Sequence, residues 1–302
     1  MPELPEVETM CRGIRSIEGL RVFEVNPVAC RLKPILMAPS FSEISRQLTG
    51  KKICRVTRLG KRVVIHFEGD FYLVIEPRMT GLVMLEDPPN QTHLRFELIL
   101  RGELSGGGNQ VRSKLPSSRD IRLLFWDRRG LGTIRLLTAG DFEHSVKNRL
   151  GPDALQMNAE VFRERFRRSK REIKVALLDQ TFVAGIGNIY AAEILFLAGV
   201  DPRTRCDRIR MSQWERIADA TEEVLSTAID YEGSTLSDGT YRNAINGEGS
   251  YQQYHRVYDR EDESCKRCQR GKIKRITQAQ RSTFYCPCCQ LKKLTHDSLG
   301  GD

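Results

Sequence analysis

The sequence predicts an α+β protein of several domains: a strand-rich amino-terminal region with a leading helix, a helical middle region and a carboxy-terminal cysteine hairpin. Three observations lead to this prediction. Short stretches rich in β-branched and aromatic residues fill residues 21–138, and helical periodicity replaces them from about 153 to 231. Five of the nine cysteines lie in the last 38 of the 302 residues. A chain of this length can hold two domains that each bury a core.

The leading helix is predicted from its apolar spacing. Apolar residues recur at intervals of three and four from Leu4 to Ile17, which is typical of one buried helix face. Pro5 suits a first helical turn, where its missing N–H costs nothing. Glu3 and Glu6 suit the same turn because acidic groups favour the amino end of the helix dipole. On spacing alone, the two acids are ordinary first-turn residues.

Residues 21–138 are predicted to form many short strands. Stretches such as KRVVIHFEG, HLRFELIL and DIRLLFWD are bounded by Gly, Asp or Pro. Many short strands favour a β-sandwich or a β-barrel. The segment 101–119 is rich in Gly and Ser and poor in apolar residues, so we expect a flexible loop between two strands.

The middle region is predicted to be helical. Stretches such as AAEILFLAG and WERIADATEEVLSTAI have helical periodicity, and Gly199 with Pro202 is a typical helix stop. Residues 233–250 are rich in Gly, Ser and Asn, which predicts a loop.

The carboxy-terminal cysteines predict a metal site. Cys265 and Cys268 form one C-x-x-C pair, and Cys286 and Cys289 form a second after a hairpin-length segment. Two such pairs favour one structural Zn²⁺ in a tetrahedral four-sulfur site, which leaves no open position for chemistry. A pairing of Cys286 with Cys288 stays open as an alternative.

The charge balance favours a polyanionic partner. Lys and Arg number 48 against 39 Asp and Glu, a formal net charge of +9, and nucleic acid is the common partner of such proteins. Basic residues also lie between the cysteine pairs, where they suit either a phosphate clamp or a solvated surface. The acidic amino terminus and the lack of a long apolar run predict a cytoplasmic protein without a membrane span.

Several motifs resemble one known family. MPELPEVET, LLDQTFVAGIGNIYAAEILFLAGVDP and the finger segment QRSTFYCP are similar to bacterial formamidopyrimidine-DNA glycosylases. RLGKRVVI, PRMTGLVML, FWDRRGLG and RVYDR match more weakly. The resemblance implies a catalytic β-sandwich domain over 1–140, a helix–two-turn–helix domain over 150–250 and a four-cysteine zinc finger over 256–294. It further implies a monomer that acts on damaged double-stranded DNA at the bacterial nucleoid.

The resemblance also implies a reaction. After removal of Met1, the Pro2 amine would be the nucleophile of a bifunctional DNA glycosylase and abasic-site lyase that excises formamidopyrimidine and 8-oxoguanine. An α-amine has a pKa of about 8 against about 10.4 for lysine, so more of it is neutral near pH 7. Glu3 matches the acid that protonates the sugar, and Glu6 matches a second carboxylate near the amine.

The remaining site residues also come from the resemblance. Lys61 matches a lysine beside the scissile phosphate, and Arg281 matches the arginine at the finger tip. Met79, Arg129 and Leu131 match the residues that fill the space of an everted base. Further DNA contacts are expected at His93, Lys174, Asn188 and Tyr258, with Asn188 at the N-cap position of a helix.

The sequence departs from the family pattern in two places that matter here. The family motif D-P-R-R-F-G is replaced by D-R-R-G-L-G, so Leu131 stands where an aromatic ring is common. The finger spacing is one residue longer, for which we expect a small bulge in the hairpin. Two alternatives stay open: a glycosylase of the endonuclease VIII type that prefers oxidised pyrimidines, and a DNA-binding relative without catalysis. Retention of Pro2, Glu3 and Lys61 favours the enzyme.

Overall fold

The computed structural model describes residues 2–26, 28, 33–85, 87–102, 120–236, 239 and 241–291. Most of the loop predicted over 101–119 therefore lies outside the described residues. The chain divides into two compact units. The first comprises Met1–Arg149 and Ala228–Gln252, and the second comprises Leu150–Thr227 and Gln253–Asp302. The segment 228–252, predicted to be part of the middle domain, thus groups by its contacts with the amino-terminal unit.

The leading helix is confirmed as α1 (Leu4–Ile14), followed by one 3₁₀ turn. Glu3 is its N-cap, and Pro5 lies in the first turn. The Glu3 side chain accepts a hydrogen bond from the backbone N–H of Glu6, and the Glu6 side chain accepts one from the backbone N–H of Glu3. This reciprocal capping box satisfies two amides that the helix itself leaves without partners.

Two sheets follow in the first unit. Their strands are β1 (Arg21–Asn26), β2 (Leu36–Ala38), β3 (Ile53–Leu59), β4 (Arg62–Phe67), β5 (Phe71–Glu76), β6 (Gly81–Met84), β7 (Leu94–Arg101), β8 (Ile121–Asp127) and β9 (Thr133–Thr138). One sheet has the order β1-β7-β8-β6, and the other has the order β2-β9-β5-β4-β3. All pairs are antiparallel except β2 with β9. Two helices, α2 (Phe41–Leu48) and α3 (Ala139–Ser145), complete this part of the unit.

The two sheets share one apolar core with α1. It contains Val22 and Phe125 from the first sheet, Ile65 and Ile134 from the second, and Met10 from α1, all of them buried. Because the two sheets are separate and meet through their inner faces, the predicted choice between sandwich and barrel is settled in favour of the sandwich.

The second unit is mainly helical. Its elements are α4 (Ala159–Phe166), α5 (Ile173–Leu177), α6 (Asn188–Leu197), α7 (Met211–Asp230), β10 (Lys274–Gln278) and β11 (Arg281–Tyr285), with the end of α7 grouped in the first unit. Helix α6 is buried along almost its whole length, which explains why its sequence is apolar on every side. Trp214 stacks on Phe162 with ring centroids 6.3 Å apart in the same core.

The expected bulge in the β10–β11 hairpin is wrong. The strands pair without a shift from Lys274 opposite Tyr285 to Gln278 opposite Arg281. Ala279 and Gln280 both have positive φ, 45° and 61°, which closes a tight two-residue turn whose twist matches the strands. The longer spacing between the cysteine pairs is therefore absorbed outside the paired residues. Among the described residues, no helix is both long and apolar enough to cross a membrane.

Candidate functional site

Pro2, Glu3 and Glu6 lie together in the buried start of α1. Pro2 is buried, and Glu3 and Glu6 are each 1% exposed. Glu3 N donates to Glu6 Oε2 at 2.8 Å. The residue that follows Pro2 is thus held at its backbone by one carboxylate, which fixes the direction in which the chain enters the helix.

The second oxygen of Glu6 binds the distant segment 228–252. Ser234 N donates to Glu6 Oε1 at 2.8 Å. Gly233 precedes it with φ +80°, and a Cβ at this position would lie 2.7 Å from Glu6 Oε1. Only glycine combines this backbone conformation with so close an approach. Glu6 therefore connects the helix start to a loop more than 200 positions away in the sequence.

Tyr241 completes this buried cluster. Its hydroxyl donates to the backbone oxygen of Glu6 at 3.4 Å, and it also contacts the Thr9 hydroxyl. Burial raises the pKa of Tyr241 well above its usual value, and the nearby Glu6 carboxylate raises it further. Ala244 packs tightly on Gly13 of α1. A Cβ added at Gly13 would lie 2.4 Å from the Ala244 Cβ. The sequence predicted only a loop here and gave no signal for Tyr241.

Lys61 lies in the turn between β3 and β4, next to Gly60 at φ +57°. Arg58 ties this turn to α1 because its guanidinium donates to Gly60 O at 3.0 Å and to Glu8 Oε2 at 3.1 Å. Lys61 itself is half-buried. The Arg58–Glu8 pair was not predicted, because its two residues lie 50 positions apart, in two separate motifs.

Met79 and Leu131 are among the exposed large apolar residues of the first unit, 38% and 41% exposed. Met79 lies in the turn between β5 and β6, which Gly81 N closes by donating to Pro77 O at 2.9 Å. Leu131 lies in the turn between β8 and β9, and Arg129 in the same turn is exposed as well. Exposed apolar side chains on tight turns are suited to contact with a partner.

His93 lies just before β7. Its Nδ1 is 2.8 Å from Asn90 Oδ1, and its ring meets the edge of Trp126 with centroids 5.4 Å apart. Asp127 N donates to His93 O at 2.9 Å. His93 is thereby held close to the same strand end that leads into the Arg129 turn.

In the second unit, Lys174 and Asn188 lie together with the hairpin. Lys174 Nζ donates to Asn188 Oδ1 at 2.6 Å, and Asn188 Nδ2 donates to Ser282 O at 3.0 Å. The expectation that Asn188 is a helix N-cap is wrong by one position. Gly187 is the N-cap and Asn188 is the first residue of α6, so its side chain turns away to the hairpin.

The turn before α6 is held by one side chain. Gln180 Nε2 donates to Leu178 O and Ile186 O, each at 3.0 Å, and its Oε1 accepts from Gly185 N at 2.9 Å. Gly185 has φ +110°, which explains the predicted tight glycine turn. The amino terminus of α6 is therefore presented on a fixed loop, and such helix ends attract anionic groups.

Glu193 anchors the segment that leads to the hairpin. Its carboxylate is fully buried and accepts three backbone N–H bonds, of 2.9, 2.9 and 2.8 Å, from Arg256, Val257 and Tyr258. Burial raises the pKa of Glu193, while the three amides act in the opposite direction. Tyr258 packs on Phe284 with ring centroids 5.2 Å apart, and Arg281 at the start of β11 is exposed.

The four predicted cysteine ligands come together. Cys265 Sγ is 3.7 Å from Cys289 Sγ, Cys268 Sγ is 3.8 Å from Cys286 Sγ, and all four sulfurs lie within 4.8 Å of one another. A tetrahedral zinc site with bonds of about 2.3 Å requires sulfurs about 3.8 Å apart, so the set fits this ion. Cys288 is exposed and outside the set, which disfavours its pairing with Cys286.

The local backbone favours a thiolate at one of these cysteines. The N–H groups of Arg270 and Gly271 point at Cys268 and lower its pKa to about 6. Thiolates are the form that binds metal. The arrangement can therefore hold one metal ion that fixes the hairpin.

Comparison with known proteins identifies relatives over nearly the whole chain. Residues 1–134 match the family model described as the formamidopyrimidine-DNA glycosylase N-terminal domain, and residues 150–240 match the corresponding H2TH domain. A formamidopyrimidine-DNA glycosylase of Solibacter usitatus is 37% identical over 290 residues, covering 96% of this chain and 99% of the relative.

Solved structures give the same result. A Lactococcus lactis Fpg mutant in complex with a Fapy-dG-containing DNA is 30% identical, with a TM-score of 0.80. The Lactococcus lactis protein in complex with a DNA containing an abasic site has the same identity and TM-score. Each comparison covers 96% of this chain and 100% of the other.

Proposed function

The chain belongs to the formamidopyrimidine-DNA glycosylase family, whose members are DNA glycosylases of base excision repair, and we propose that it excises oxidised purines and then cleaves the strand through the Pro2 amine. Formamidopyrimidine and 8-oxoguanine are the proposed lesions. The observation that carries the proposal is the buried grouping of Pro2, Glu3 and Glu6 at the start of α1. Burial disfavours the charged form of an amine, and the neutral form is the nucleophile.

The proposed reaction begins when Met1 is removed and Pro2 becomes a secondary amine. Its lone pair attacks the sugar C1′, the bond to the damaged base breaks, and the base takes up the proton that the nitrogen gives up. Glu3 then protonates the sugar ring oxygen as the ring opens to an iminium. The resulting iminium acidifies the proton on C2′. Loss of this proton expels the 3′ phosphate, a second elimination expels the 5′ phosphate, and water then releases the sugar remnant from the amine.

Glu6 is proposed to support this reaction without taking part in it. One of its oxygens accepts from Glu3 N and the other from Ser234 N. It therefore holds both the backbone next to the nucleophile and the segment 228–252. Lys61 and Arg281 are proposed to neutralise the phosphates that flank the sugar, which charged side chains on fixed turns do well.

The second unit is proposed to hold the DNA backbone. Asn188 and Tyr258 are proposed to contact phosphates together with the amino terminus of α6. Lys174, also expected to contact DNA, is fully buried and is proposed to act by holding Asn188 through their hydrogen bond. Zn²⁺ held by the four cysteines fixes the hairpin and does no chemistry. In the first unit, Met79, Arg129 and Leu131 are proposed to occupy the space left by the everted base. His93 is proposed to contact the DNA backbone next to that space.

The proposed enzyme acts as a monomer in the bacterial cytoplasm, at the nucleoid. Borohydride trapping tests the reaction on duplexes with 8-oxoguanine, formamidopyrimidine, an oxidised pyrimidine or a preformed abasic site. We expect a covalent adduct that Pro2→Gly abolishes, and faster trapping on the purines than on the pyrimidine. Tight binding of every duplex without any adduct would instead indicate a DNA-binding relative, and faster trapping on the pyrimidine would indicate an enzyme of the endonuclease VIII type.

A further inference from the structure

The turns that carry Met79 and Arg129 are joined by two buried side chains. Thr80 Oγ1 donates to Asp127 Oδ1 at 2.5 Å and accepts from Arg129 N at 2.9 Å. Thr80 is 3% exposed and Asp127 is fully buried. A hydroxyl can donate one hydrogen bond while it accepts another, which a carboxylate or an alkyl group cannot do. The Thr80 hydroxyl therefore links both turns at once.

Asp127 also organises its own turn. Its Oδ1 accepts from Arg129 N at 3.2 Å, and its Oδ2 accepts from Gly132 N at 2.8 Å. Leu131 lies between these two anchored residues, and Gly130 before it has φ +62°. Charge-assisted bonds to a buried carboxylate are stronger than neutral ones. The backbone on both sides of Leu131 is thus fixed by one side chain.

The two turns also pack on one ring. A Cβ at Gly81 would lie 2.9 Å from Phe125 Cε2, and a Cβ at Gly132 would lie 2.5 Å from Phe125 Cζ. Phe125 and Asp127 are two positions apart in β8 and therefore point to the same face. Ring contact and hydrogen bonds together leave the turns little freedom to move relative to each other.

We propose that Thr80 and Asp127 form a clamp of positioning residues that sets the distance between Met79 and Leu131, so that both side chains enter the DNA duplex as one rigid wedge. This inference rests on the proposed function, which assigns these side chains to the space of the everted base. Side chains carried on turns that are already fixed lose less backbone conformational entropy when they insert. This matters more with Leu131 than with an aromatic residue, because leucine cannot gain stacking energy to offset poor placement.

The test uses a duplex with a tetrahydrofuran abasic analogue and 2-aminopurine beside it, whose fluorescence rises when its stacking is broken. This duplex reports insertion without any catalysis. We expect Thr80→Val to slow the fluorescence rise by about tenfold, because two hydrogen bonds of the clamp are lost. Thr80→Ser keeps the hydroxyl and should restore the wild-type rate. Thr133→Val removes a hydroxyl of β9 that takes no part in the clamp and should leave the rate unchanged.

A second variant keeps the test decisive if Thr80→Val fails to fold. Asp127→Asn presents an amide where the carboxylate accepts from backbone N–H groups, and it should slow insertion while Thr80→Ser does not. Wild-type kinetics in Thr80→Val or in a folded Asp127→Asn would overturn the clamp. So would the absence of any fluorescence change with the wild-type protein. Insertion that depends on Thr80 in a protein that excises no base would support the clamp and contradict the proposed function.

Discussion

The amino-terminal cluster of the first unit and the hairpin of the second unit are fixed by different means. Around Pro2, hydrogen bonds from backbone amides to the Glu6 carboxylate hold the chain. At the hairpin, four clustered cysteines suited to a metal and the buried Glu193 carboxylate do so. The first unit buries the groups proposed for chemistry, whereas the second exposes Arg281 as a proposed phosphate ligand.

This difference separates rate from affinity. Chemistry needs one atom in one place, so a small change near Pro2 should lower the rate without weakening DNA binding. Backbone binding needs a folded surface, so loss of the hairpin should weaken binding and leave the reactive groups intact. Both units also contain a buried carboxylate that binds backbone amides, Glu6 in the first and Glu193 in the second.

The largest effect is expected for Glu3→Gln, which removes the proposed acid and keeps its shape. Base excision should slow by about a thousandfold, within the usual range for loss of a general acid. Affinity for a tetrahydrofuran duplex should stay within about twofold, since a neutral amide at this position breaks no phosphate contact. Single-turnover kinetics and fluorescence anisotropy measure the two quantities. Glu43→Gln, in the first turn of α2, is the matched control, and an equal loss there would contradict the role of Glu3.

Loss of the metal should weaken DNA binding more than it slows the reaction. Cys268→Ser removes one of the four clustered sulfurs, so the hairpin should unfold and DNA affinity should fall by about a hundredfold or more. Trapping at saturating enzyme should recover in part, because the Pro2 cluster lies in the other unit but Arg281 is lost with the hairpin. Cys288→Ser is the control, since this cysteine lies outside the cluster. Zinc content by mass spectrometry and binding by anisotropy check the result, and zinc loss in Cys288→Ser would contradict the ligand set.

Acid should destabilise the second unit through His255. Burial, and then the charges of Arg260 and Lys266, lower the pKa of His255 from 6.5 to about 4. The unfolded chain therefore binds a proton first as the pH falls. The free energy of unfolding should decrease between pH 6.5 and 4 by about 3 kcal/mol, with little further change from this group below pH 4.

The two tryptophans allow this effect to be assigned to one unit. Trp126 lies in the first unit and Trp214 in the second, so denaturation of single-tryptophan variants reports each unit by its own fluorescence. His255→Asn should flatten the pH dependence seen by Trp214. His144→Asn, which changes an exposed histidine of α3, should alter neither profile. If the stability followed at Trp126 fell equally with acid, His255 would not be the cause of the pH dependence.

The smallest effect is expected for Glu193→Gln. In this variant an NH₂ group replaces one of the two oxygens that accept from backbone N–H groups, so a donor faces a donor. The free energy of unfolding should fall by about 2 kcal/mol. DNA affinity should fall less than in Cys268→Ser, because the metal site stays intact. Chemical denaturation followed at Trp214 measures the change. The exposed Glu222→Gln on α7 serves as control, and equal stability of the two variants would contradict the anchoring role of Glu193.

The order of the main regions could be predicted from the sequence, because apolar periodicity and cysteine spacing report local structure. Helix α2 (Phe41–Leu48) was missed inside the region predicted to be strands. The start of α1 and the four-cysteine set were predicted for this reason. Ser234 and Tyr241 could not be, since their partner Glu6 is distant in the chain. Ser234 donates its backbone N–H to the Glu6 carboxylate, and Tyr241 donates its hydroxyl to the Glu6 backbone oxygen. Asn188 was misplaced by one residue because glycine and asparagine are both common N-caps. The hairpin turn was missed because Ala279 and Gln280 are unusual at positive φ.

The most direct test of the account is the identity of the atom that binds the sugar. Borohydride-trapped protein can be digested, and the peptide that carries the sugar remnant can be sequenced by mass spectrometry. The account predicts one modified peptide that begins at Pro2, lacks Met1 and carries the adduct on its amino-terminal nitrogen. An adduct on Lys61 or another lysine, or an active protein that retains Met1, would contradict it.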